Sequence, residues 1–189
     1  MKDKSKSTYK IGLPPKMGLY DPQFEKDSCG VGLVANIKGN PSREIMEDAF
    51  LINSKMDHRG GCGFEENTGD GAGILMAIPD NFFRKEAKKN GLNLPGIGKY
   101  AVGNIFLPQL EDEKRECKEV IERTIKAEEQ LFLGWREVPV DPEGANVGPT
   151  SKNAQPYIAQ LFIGSEEGID NKSFERKLLL LRKKFTREL

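Results

Sequence analysis

Short apolar runs and helix-period apolar stripes alternate along the 189 residues of this chain. Five runs are short, apolar and bounded by glycine, proline or charged residues, which predicts strands. They cover residues 31–37, 74–78, 100–107, 131–140 and 157–163. Four stretches repeat apolar side chains at intervals of three and four, which predicts amphipathic helices. They cover residues 41–57, 80–90, 111–130 and 173–184.

Local signals set the expected boundaries and inner faces of these helices. Asn40 is a candidate N-cap, with Pro41 at the first helical position. The inward positions are expected to be Ile45, Ala49, Ile52 and Met56 in the first helix and Phe82, Phe83 and Ala87 in the second. Six glycines over residues 60–73 predict a loop or tight hairpin, and residues 141–152 are expected to form a second loop.

The charge balance limits the kinds of partner that the chain is expected to bind. Lysine plus arginine number 29 and aspartate plus glutamate number 29, so the formal net charge is zero. This balance argues against general electrostatic binding to nucleic acid or to an anionic membrane. Hydrophobic residues make up 37% of the chain, and no apolar run approaches the roughly 18 to 20 residues of a membrane helix. We therefore expect no nucleic-acid partner and no membrane association.

Three cysteines and one histidine narrow the possible chemistry. Three cysteines are too few for a disulfide framework, and a single histidine excludes a His-rich metal site and argues against a Ser-His-Asp triad. Residues 1–16 are basic but lack the apolar run of about 7 to 15 residues that a secretory signal contains. A cytoplasmic protein is therefore expected, with a mature plastid form as the alternative.

Cys29 is the most informative position, because it lies among small residues directly before a predicted strand. Most free cysteines are small buried hydrophobic residues, and spacing alone favours that interpretation. A second interpretation pairs Cys29 with His58 as a thiol and its base. A third needs no histidine, since cleavage between Ser28 and Cys29 would give the thiol an adjacent α-amine with a pKa of about 7.7 to 8. Such an amine accepts the thiol proton directly or through one water.

Six runs of sequence together resemble one enzyme family. They are GLYDPQFEKDSCGVGLVANIKG, MDHRGG, TGDGAGIL, GWREVPVD, PYIAQLFIG and FERKLLLLRK. In this order and at this approximate spacing they resemble the start of the large subunit of glutamate synthases, over residues 18–183. That region is similar to the class II glutamine amidotransferase domain, which has the N-terminal-nucleophile hydrolase fold. The resemblance implies an α+β fold with two stacked, mostly antiparallel sheets flanked by helices, incomplete in this chain.

The resemblance also implies roles for parts of the chain. Residues 1–28 would form a propeptide-like arm, and residues 29–189 would form the N-terminal portion of the amidotransferase domain. Cys29 would be the mature N-terminal nucleophile, exposed by self-catalysed cleavage through a thioester. Arg59 resembles the arginine of the Arg-Gly turn beside that nucleophile and would help shape the substrate pocket, with a solvent-exposed loop arginine as the alternative.

The chemistry that the resemblance implies is glutamine hydrolysis. A thiolate attacks the side-chain amide carbon of L-glutamine, ammonia leaves, and water releases L-glutamate from the γ-glutamyl thioester. In the whole enzyme the ammonia passes through a tunnel to a second domain and reacts with 2-oxoglutarate and reduced FMN to give a second glutamate. That enzyme also carries an iron-sulfur cluster. The implied partners are L-glutamine and the remainder of the large subunit, with no cofactor and no metal in this segment.

The chain stops before the later strands of the family, which carry an Arg-Phe run, an Asn-Gly pair and an acidic residue. The Asn-Gly pair supplies the oxyanion hole, and Asn90-Gly91 lies too early to replace it. Losing one oxyanion donor costs about 100- to 1,000-fold in rate, so the isolated chain is expected to have little or no glutaminase activity. Missing strands would also expose sheet edges and apolar faces. The alternative function is a non-catalytic relative that acts as a binding or assembly module.

Overall fold

A computed structural model describes the chain as two compact units. The first comprises Met1–Cys62 and Gly69–Ile74, and the second comprises Gly63–Thr68 and Leu75–Leu189. The residues that the structure describes are 15–18, 21, 30–56, 65, 68–69 and 71–189.

The described part of the first unit is built around helix α1, Arg43–Lys55. Ser42 is its N-cap, because the Ser42 Oγ accepts a hydrogen bond from the Ile45 N–H at 3.3 Å. The prediction of Asn40 as N-cap and Pro41 as the first helical residue is therefore wrong by two residues. The first turn needs a side-chain acceptor for its free N–H groups, and Ser42 supplies it.

Residues 31–37 and 74–78 do not form the two strands that their apolar character predicts. Val31 and Leu33 are 90% exposed, and the side chain of Leu75 is fully exposed. A strand is stabilised by the hydrogen bonds and side-chain pairs of a neighbouring strand. Within the described ranges no segment pairs with either run, so neither becomes a strand.

The second unit contains a three-stranded antiparallel sheet of β1, Tyr100–Leu107, β2, Leu131–Glu137, and β3, Tyr157–Gly164. The strand order is β1-β3-β2, so the last strand in sequence lies in the centre. This confirms the predicted α+β class and three of the five predicted strands. β2 ends earlier than the predicted Val140, because Pro139 has no N–H to continue the ladder.

Four helices surround this sheet. They are α2, Asp80–Lys89, α3, Glu111–Ala127, α4, Pro149–Asn153, and α5, Asn171–Glu188. Three of the four lie where the periodicity predicts helices, whereas α4 lies in the stretch that was expected to be loop. A helix of five residues is too short to produce a periodic apolar stripe, which is why the pattern does not reveal it.

One face of the sheet packs against α3 and α5. On the central strand, Leu161 and Ile163 point to this face, as alternation along a strand requires. They join one hydrophobic cluster with side chains from the two helices, namely Ile121, Ile125, Phe174 and Leu181. This cluster contains most of the fully buried large side chains among the described residues.

The opposite face of the sheet packs against α2. Phe162, between Leu161 and Ile163 on β3, is fully buried and forms a second cluster with Phe83 and Tyr100. The rings of Phe83 and Phe162 meet edge to face, with centroids 5.7 Å apart. The predicted inward positions Phe83 and Ala87 are confirmed, but Phe82 is 48% exposed. Adjacent helical positions are about 100° apart, so the face that buries Phe83 and Ala87 does not also bury Phe82.

Leu181 and Leu180 offer a matched test of the first cluster. Leu181 is fully buried, whereas Leu180 is 42% exposed. Leu181→Ala leaves a cavity between α5 and the sheet, so we expect it to lower the free energy of unfolding by about 3 kcal/mol. Leu180→Ala removes the same atoms nearer the surface and should cost about 1 kcal/mol or less. Urea unfolding followed by Trp135 fluorescence measures both, and equal losses would contradict the assigned packing.

Candidate functional site

The three residues to which the sequence assigns chemistry lie outside the described residues. They are Cys29, His58 and Arg59. The structure does describe the residues that flank them, from Gly30 to Met56, together with Glu65 and Thr68 of the glycine-rich segment. The structure therefore shows the surroundings of these three residues and not the residues themselves.

The segment that directly follows Cys29 lies closely against α1. A Cβ atom added to Gly30 would lie 2.7 Å from the Met56 Sδ, and one added to Gly32 would lie 2.2 Å from the Ile52 Cγ2. Real Cβ atoms do not approach other atoms so closely, so this contact depends on two residues without side chains. Ile52 and Met56 are one helical turn apart, which confirms that they share the predicted inner face. The alternate residues of the segment, Val31 among them, point away into solvent.

Glu65 of the glycine-rich segment belongs to the second unit and contacts α4 of the same unit. Its Oε1 accepts a hydrogen bond from the Thr150 N–H at 2.7 Å, and its Oε2 accepts one from the Ser151 N–H at 3.3 Å. The bond from Thr150 is the first cause that holds the pKa of Glu65 below its ordinary value. Glu65 is therefore a carboxylate at neutral pH. Its contact persists above the ordinary carboxyl pKa and weakens as the pH falls through the lowered one.

Two polar networks of the second unit shift the pKa values of two carboxyl groups and one tyrosine hydroxyl. In the first, Asp80 accepts hydrogen bonds from the Arg84 Nε at 2.8 Å and the Tyr100 hydroxyl at 2.9 Å. The bond from Arg84 lowers the pKa of Asp80, while burial and then the bond to Asp80 raise the pKa of Tyr100 to about 12. In the second, Glu86 pairs with Lys89 at 2.6 Å and with Arg136 at 3.1 Å, and both lower its pKa. The pKa values of Asp80, Glu86 and Tyr100 all move further from neutral, which makes these three groups poor general acids or bases near pH 7.

A cavity of about 330 Å³ opens beside Tyr100 in the second unit. Its lining is mainly apolar and comes from the starts of α2, β1 and α5; it includes Ile78, Ile97, Phe174 and Leu178 with Asp80 and Glu175. The Asp80 carboxylate at its edge is already paired with Arg84 and Tyr100. The cavity thus offers no unpaired buried polar group for catalysis.

The described ranges contain neither a cluster of metal ligands nor a helix suited to cross a membrane. No three histidine, cysteine, aspartate or glutamate side chains in those ranges come together as a metal site. Cys117 is the free cysteine that the described residues include, and it lies half-buried on α3. None of the described helices has the length and apolar character needed to cross a membrane.

Comparison with known proteins decides the family. The family of class-II glutamine amidotransferases matches residues 29–189. The chain belongs to this family. The sequence resemblance to the amidotransferase domain of glutamate synthases is thereby confirmed, and the family is one of enzymes. The match begins at Cys29 and continues through β1, β2, β3 and all five described helices.

Relatives of this amidotransferase come from bacteria and from eukaryotes. The chain is 44% identical over 172 residues to the glutamate synthase (NADPH) large chain of Bacillus subtilis, covering 90% of this chain and 11% of the relative. It is 38% identical over 177 residues to the glutamate synthase (NADH) of Schizosaccharomyces pombe, covering 90% and 8%. It is 35% identical over 158 residues to ferredoxin-dependent glutamate synthase 2 of Synechocystis, covering 84% and 10%. The chain spans about a tenth of the length of these relatives.

Sequence reasoning missed two features of this region. The close approach of Gly32 to Ile52 has a weak signal, namely glycines at alternate positions of an apolar run. The contact of Glu65 with Thr150 has none, because the two residues are separated by 85 positions and no local pattern links them.

A compensating pair tests the contact between the segment and α1. Gly32→Ala forces a methyl group into Ile52, and an overpacked contact costs about 1 kcal/mol or more. We expect amide hydrogen exchange in α1 to become about fivefold faster, which is the same free energy expressed as a rate. Ile52→Ala removes the obstructing Cγ2, so the double variant should recover most of the protection. Gly73→Ala is the control, since a Cβ there meets nothing within 4 Å. No difference between Gly32→Ala and Gly73→Ala would contradict the contact.

Proposed function

We propose that this chain is the N-terminal portion of a glutaminase domain that hydrolyses L-glutamine to L-glutamate and ammonia through a thioester on Cys29. The observation that carries the proposal is the family match, which begins at Cys29 and covers residues 29–189. The similarity to three glutamate synthases with different electron donors in their names supports it. The ammonia would be passed on for glutamate synthesis.

The proposed cleavage before Cys29 also sets the proposed domain division. Residues 1–28 are a propeptide-like arm, and residues 29–189 are the amidotransferase portion. The thiol of Cys29 attacks the Ser28 carbonyl carbon and the peptide bond breaks, which leaves a thioester. Water then hydrolyses this thioester. This leaves Cys29 with a free α-amine. The start of the family match at Cys29 supports this division.

The free α-amine serves as the base of the proposed reaction. An α-amine has a pKa of about 7.7 to 8, so part of it is neutral near pH 7.5 and accepts the Cys29 thiol proton. The thiolate then bonds to the side-chain amide carbon of glutamine. The carbon–nitrogen bond breaks, and ammonia leaves with the proton that the amine held. Water attacks the γ-glutamyl thioester, the carbon–sulfur bond breaks, and glutamate and the thiol are released.

Arg59 is proposed to help shape the glutamine pocket. Chain connectivity supports this role, because Gly30 lies against Met56, Cys29 is one residue from Gly30, and Arg59 is three residues from Met56. A guanidinium is suited to hold the α-carboxylate or the side-chain oxygen of an amino-acid substrate.

The remaining chemistry of glutamate synthesis is proposed to lie in the other nine tenths of the large chain. Iron-sulfur clusters are held mainly by cysteine thiolates. With Cys29 assigned as the nucleophile, two of the three cysteines of this chain remain, which is too few to hold a cluster. FMN, the cluster and the 2-oxoglutarate site are therefore assigned to the remainder of the large chain, which is the proposed partner of this segment. A cytoplasmic location stays a prediction.

The stacked arrangement of two sheets is also proposed for the complete domain. Residues 31–37 and 74–78 are apolar yet exposed, with Val31, Leu33 and Ile37 at least 90% accessible. Exposed runs of this kind are typical of surfaces that another layer covers. We propose that both runs become strands of a second sheet when the later strands of the family are present.

Variants of Cys29 and His58 test the proposed function in the full-length natural polypeptide. Cys29→Ser should abolish glutaminase activity, because the serine hydroxyl is a much poorer nucleophile under a weak amine base. His58→Ala should retain it, since the α-amine and not the imidazole takes the proton. Glutamate release from glutamine measures both, and the intact mass should show loss of residues 1–28. Full activity of Cys29→Ser, or an inactive His58→Ala that folds normally, would contradict the mechanism.

The 189-residue chain by itself is expected to have little or no glutaminase activity. The oxyanion donors that the family resemblance implies are not among its residues, and each donor contributes about 100- to 1,000-fold in rate. The same glutamate assay, run beside the full-length polypeptide, measures the difference. Turnover by the short chain near that of the full-length polypeptide would overturn this expectation.

A further inference from the structure

We infer that the outer edge of β1 is an interaction surface, which in the full-length natural polypeptide pairs with a β-strand that directly follows α5. This inference takes from the proposed function only that the chain continues into a longer polypeptide, and it does not depend on the chemistry of Cys29. The two edges of the sheet differ in ways that favour this pairing.

The two edges of the sheet are not equally protected against further pairing. β2 has a register shift between Phe132 and Gly134, ends in the charged residues Arg136 and Glu137, and is soon followed by Pro139. Bulges, charges and prolines are devices that prevent the addition of another strand. β1 has none of them, because its sequence YAVGNIFL is uncharged and pairs with β3 in one uninterrupted register. β1 therefore has the character of an interior strand, although nothing among the described residues pairs with its outer edge.

The ladder with β3 determines which backbone groups of β1 face outward. The Ser165 N–H donates to the Lys99 carbonyl at 2.9 Å, so these two residues form a hydrogen-bonded pair directly before the first pair of β1. Pairs that exchange hydrogen bonds alternate with pairs that do not along an antiparallel ladder. The N–H and C=O groups that point away from β3 are therefore those of Tyr100, Val102, Asn104 and Phe106. They form a row of donors and acceptors for an added strand.

The direction of the strands indicates that the next strand lies beyond β1. β1 and β2 both run antiparallel to β3, so they are parallel to each other, and α3 connects them as a crossover on one face of the sheet. α5 follows β3 onto the same face, because both helices contribute to the cluster of Leu161 and Ile163. Crossovers between parallel strands of one sheet are almost always right-handed. Since β3 runs opposite to β1, a second right-handed crossover on this face leads away from β2 and past β1, which completes a β-α-β-β-α-β arrangement.

The positions of the two helices agree with this course. α3 lies toward β2, where its Glu122 accepts a hydrogen bond from the Trp135 Nε1–H at 2.8 Å. α5 lies toward β1, because Ala101 of β1 lines the same cavity as Phe174 and Leu178 of α5. A strand that continues from α5 therefore reaches the outer edge of β1 without crossing the sheet.

Apolar groups are exposed near both ends of the β1 edge. The cavity of about 330 Å³ opens between the start of β1 and α5, and Ile97 in its lining is 80% exposed. At the other end of the strand, Phe106 is 66% exposed. Contiguous exposed apolar surface is typical of a site that another part of a protein covers. We expect apolar side chains of the added strand to cover Phe106 and to enter the cavity.

Chain connectivity favours the segment after α5 over a second copy as the partner. The relatives are about ten times as long as this chain, since it covers 8 to 11% of them. A tethered strand has an effective concentration in the millimolar range, which a separate molecule does not reach. Helix-to-strand connections have about 2 to 6 residues and strands about 5 to 8, so the partner is expected within about 20 residues after α5.

Amide exchange compares the 189-residue chain with the full-length natural polypeptide, read at single residues by mass spectrometry with electron-transfer fragmentation. We expect the amides of Val102, Asn104 and Phe106 to exchange at least about 100-fold more slowly in the full-length polypeptide, because the added strand accepts hydrogen bonds from them. The amides of Gly103 and Ile105 donate to β3 and should be protected in both. Unprotected outward amides in the full-length polypeptide would overturn the inference. Protection in the short chain that rises with its concentration would also overturn it, because the partner would be a second copy.

Two variants of Asn104 separate edge pairing from general stability. Asn104→Pro removes one outward N–H and keeps the ladder with β3, whereas Asn104→Ala removes only the side chain. In the full-length polypeptide we expect Asn104→Pro to speed exchange at Val102 and Phe106 about tenfold or more, since it interrupts the added ladder. Asn104→Ala should leave this exchange unchanged. Equal exchange in the two variants, with Gly103 and Ile105 still protected, would contradict the pairing. If Asn104→Pro also exposes Gly103 and Ile105, the comparison of the two parent proteins decides.

Photo-crosslinking in the full-length polypeptide identifies the added strand. Phe106→p-benzoylphenylalanine should form a link to a residue within about 20 positions after α5, which peptide mass spectrometry locates. Links only to a more distant segment or to another polypeptide would overturn the assignment of the partner. The proposed function fails separately, because full glutaminase activity of Cys29→Ser would contradict the chemistry and leave the pairing of β1 untouched. An unpaired β1 edge beside an inactive Cys29→Ser would leave the proposed function standing.

Discussion

The pairing of β3 with a strand on each side is the constraint on which the second unit depends. Because β3 is central, its side chains are buried on both faces, and the alternation of Leu161, Phe162 and Ile163 decides which helix layer each face receives. Leu161 and Ile163 require the apolar stripes of α3 and α5, and Phe162 requires the aromatic side of α2. A shift of β3 by one residue would exchange these faces and leave both helix layers against the wrong side chains.

The parts of the fold that could be predicted are those whose stability is specified by local sequence. Helix α3 repeats apolar residues such as Ile121 and Ile125 at the helical period, and β3 is a short apolar run of strand length. Both elements form as predicted. Residues 31–37 have an equally apolar run but no strand beside them among the described residues, so propensity alone does not make a strand there. Helix α4 shows the opposite case, because the acceptor for its first amides is Glu65 and not a side chain of its own sequence.

In the candidate site, the sequence could predict only those residues whose own side chains suggest a reaction. Cys29 and Arg59 were identified from a resemblance that six separate runs support, and the family match bears out the family but not the role of either residue. Glu65 was missed, since an acidic residue next to another in a polar loop is most often solvated. Its hydrogen bonds to the amides of α4 depend on Gly148 and on the proline after it, 83 and more positions away, and such a relation exists only in three dimensions.

The order β1-β3-β2 has a consequence for how the protein is made. A ribosome delivers β1 first and β2 second, yet the two are not neighbours, because within the described part of the chain each pairs with β3 alone. No ladder of this sheet can form until synthesis has reached β3, which begins at Tyr157. During that interval the segments of β1 and β2 are part of the nascent polypeptide without the strand that pairs with them. The emergence of one eight-residue strand then gives both of them a partner at once.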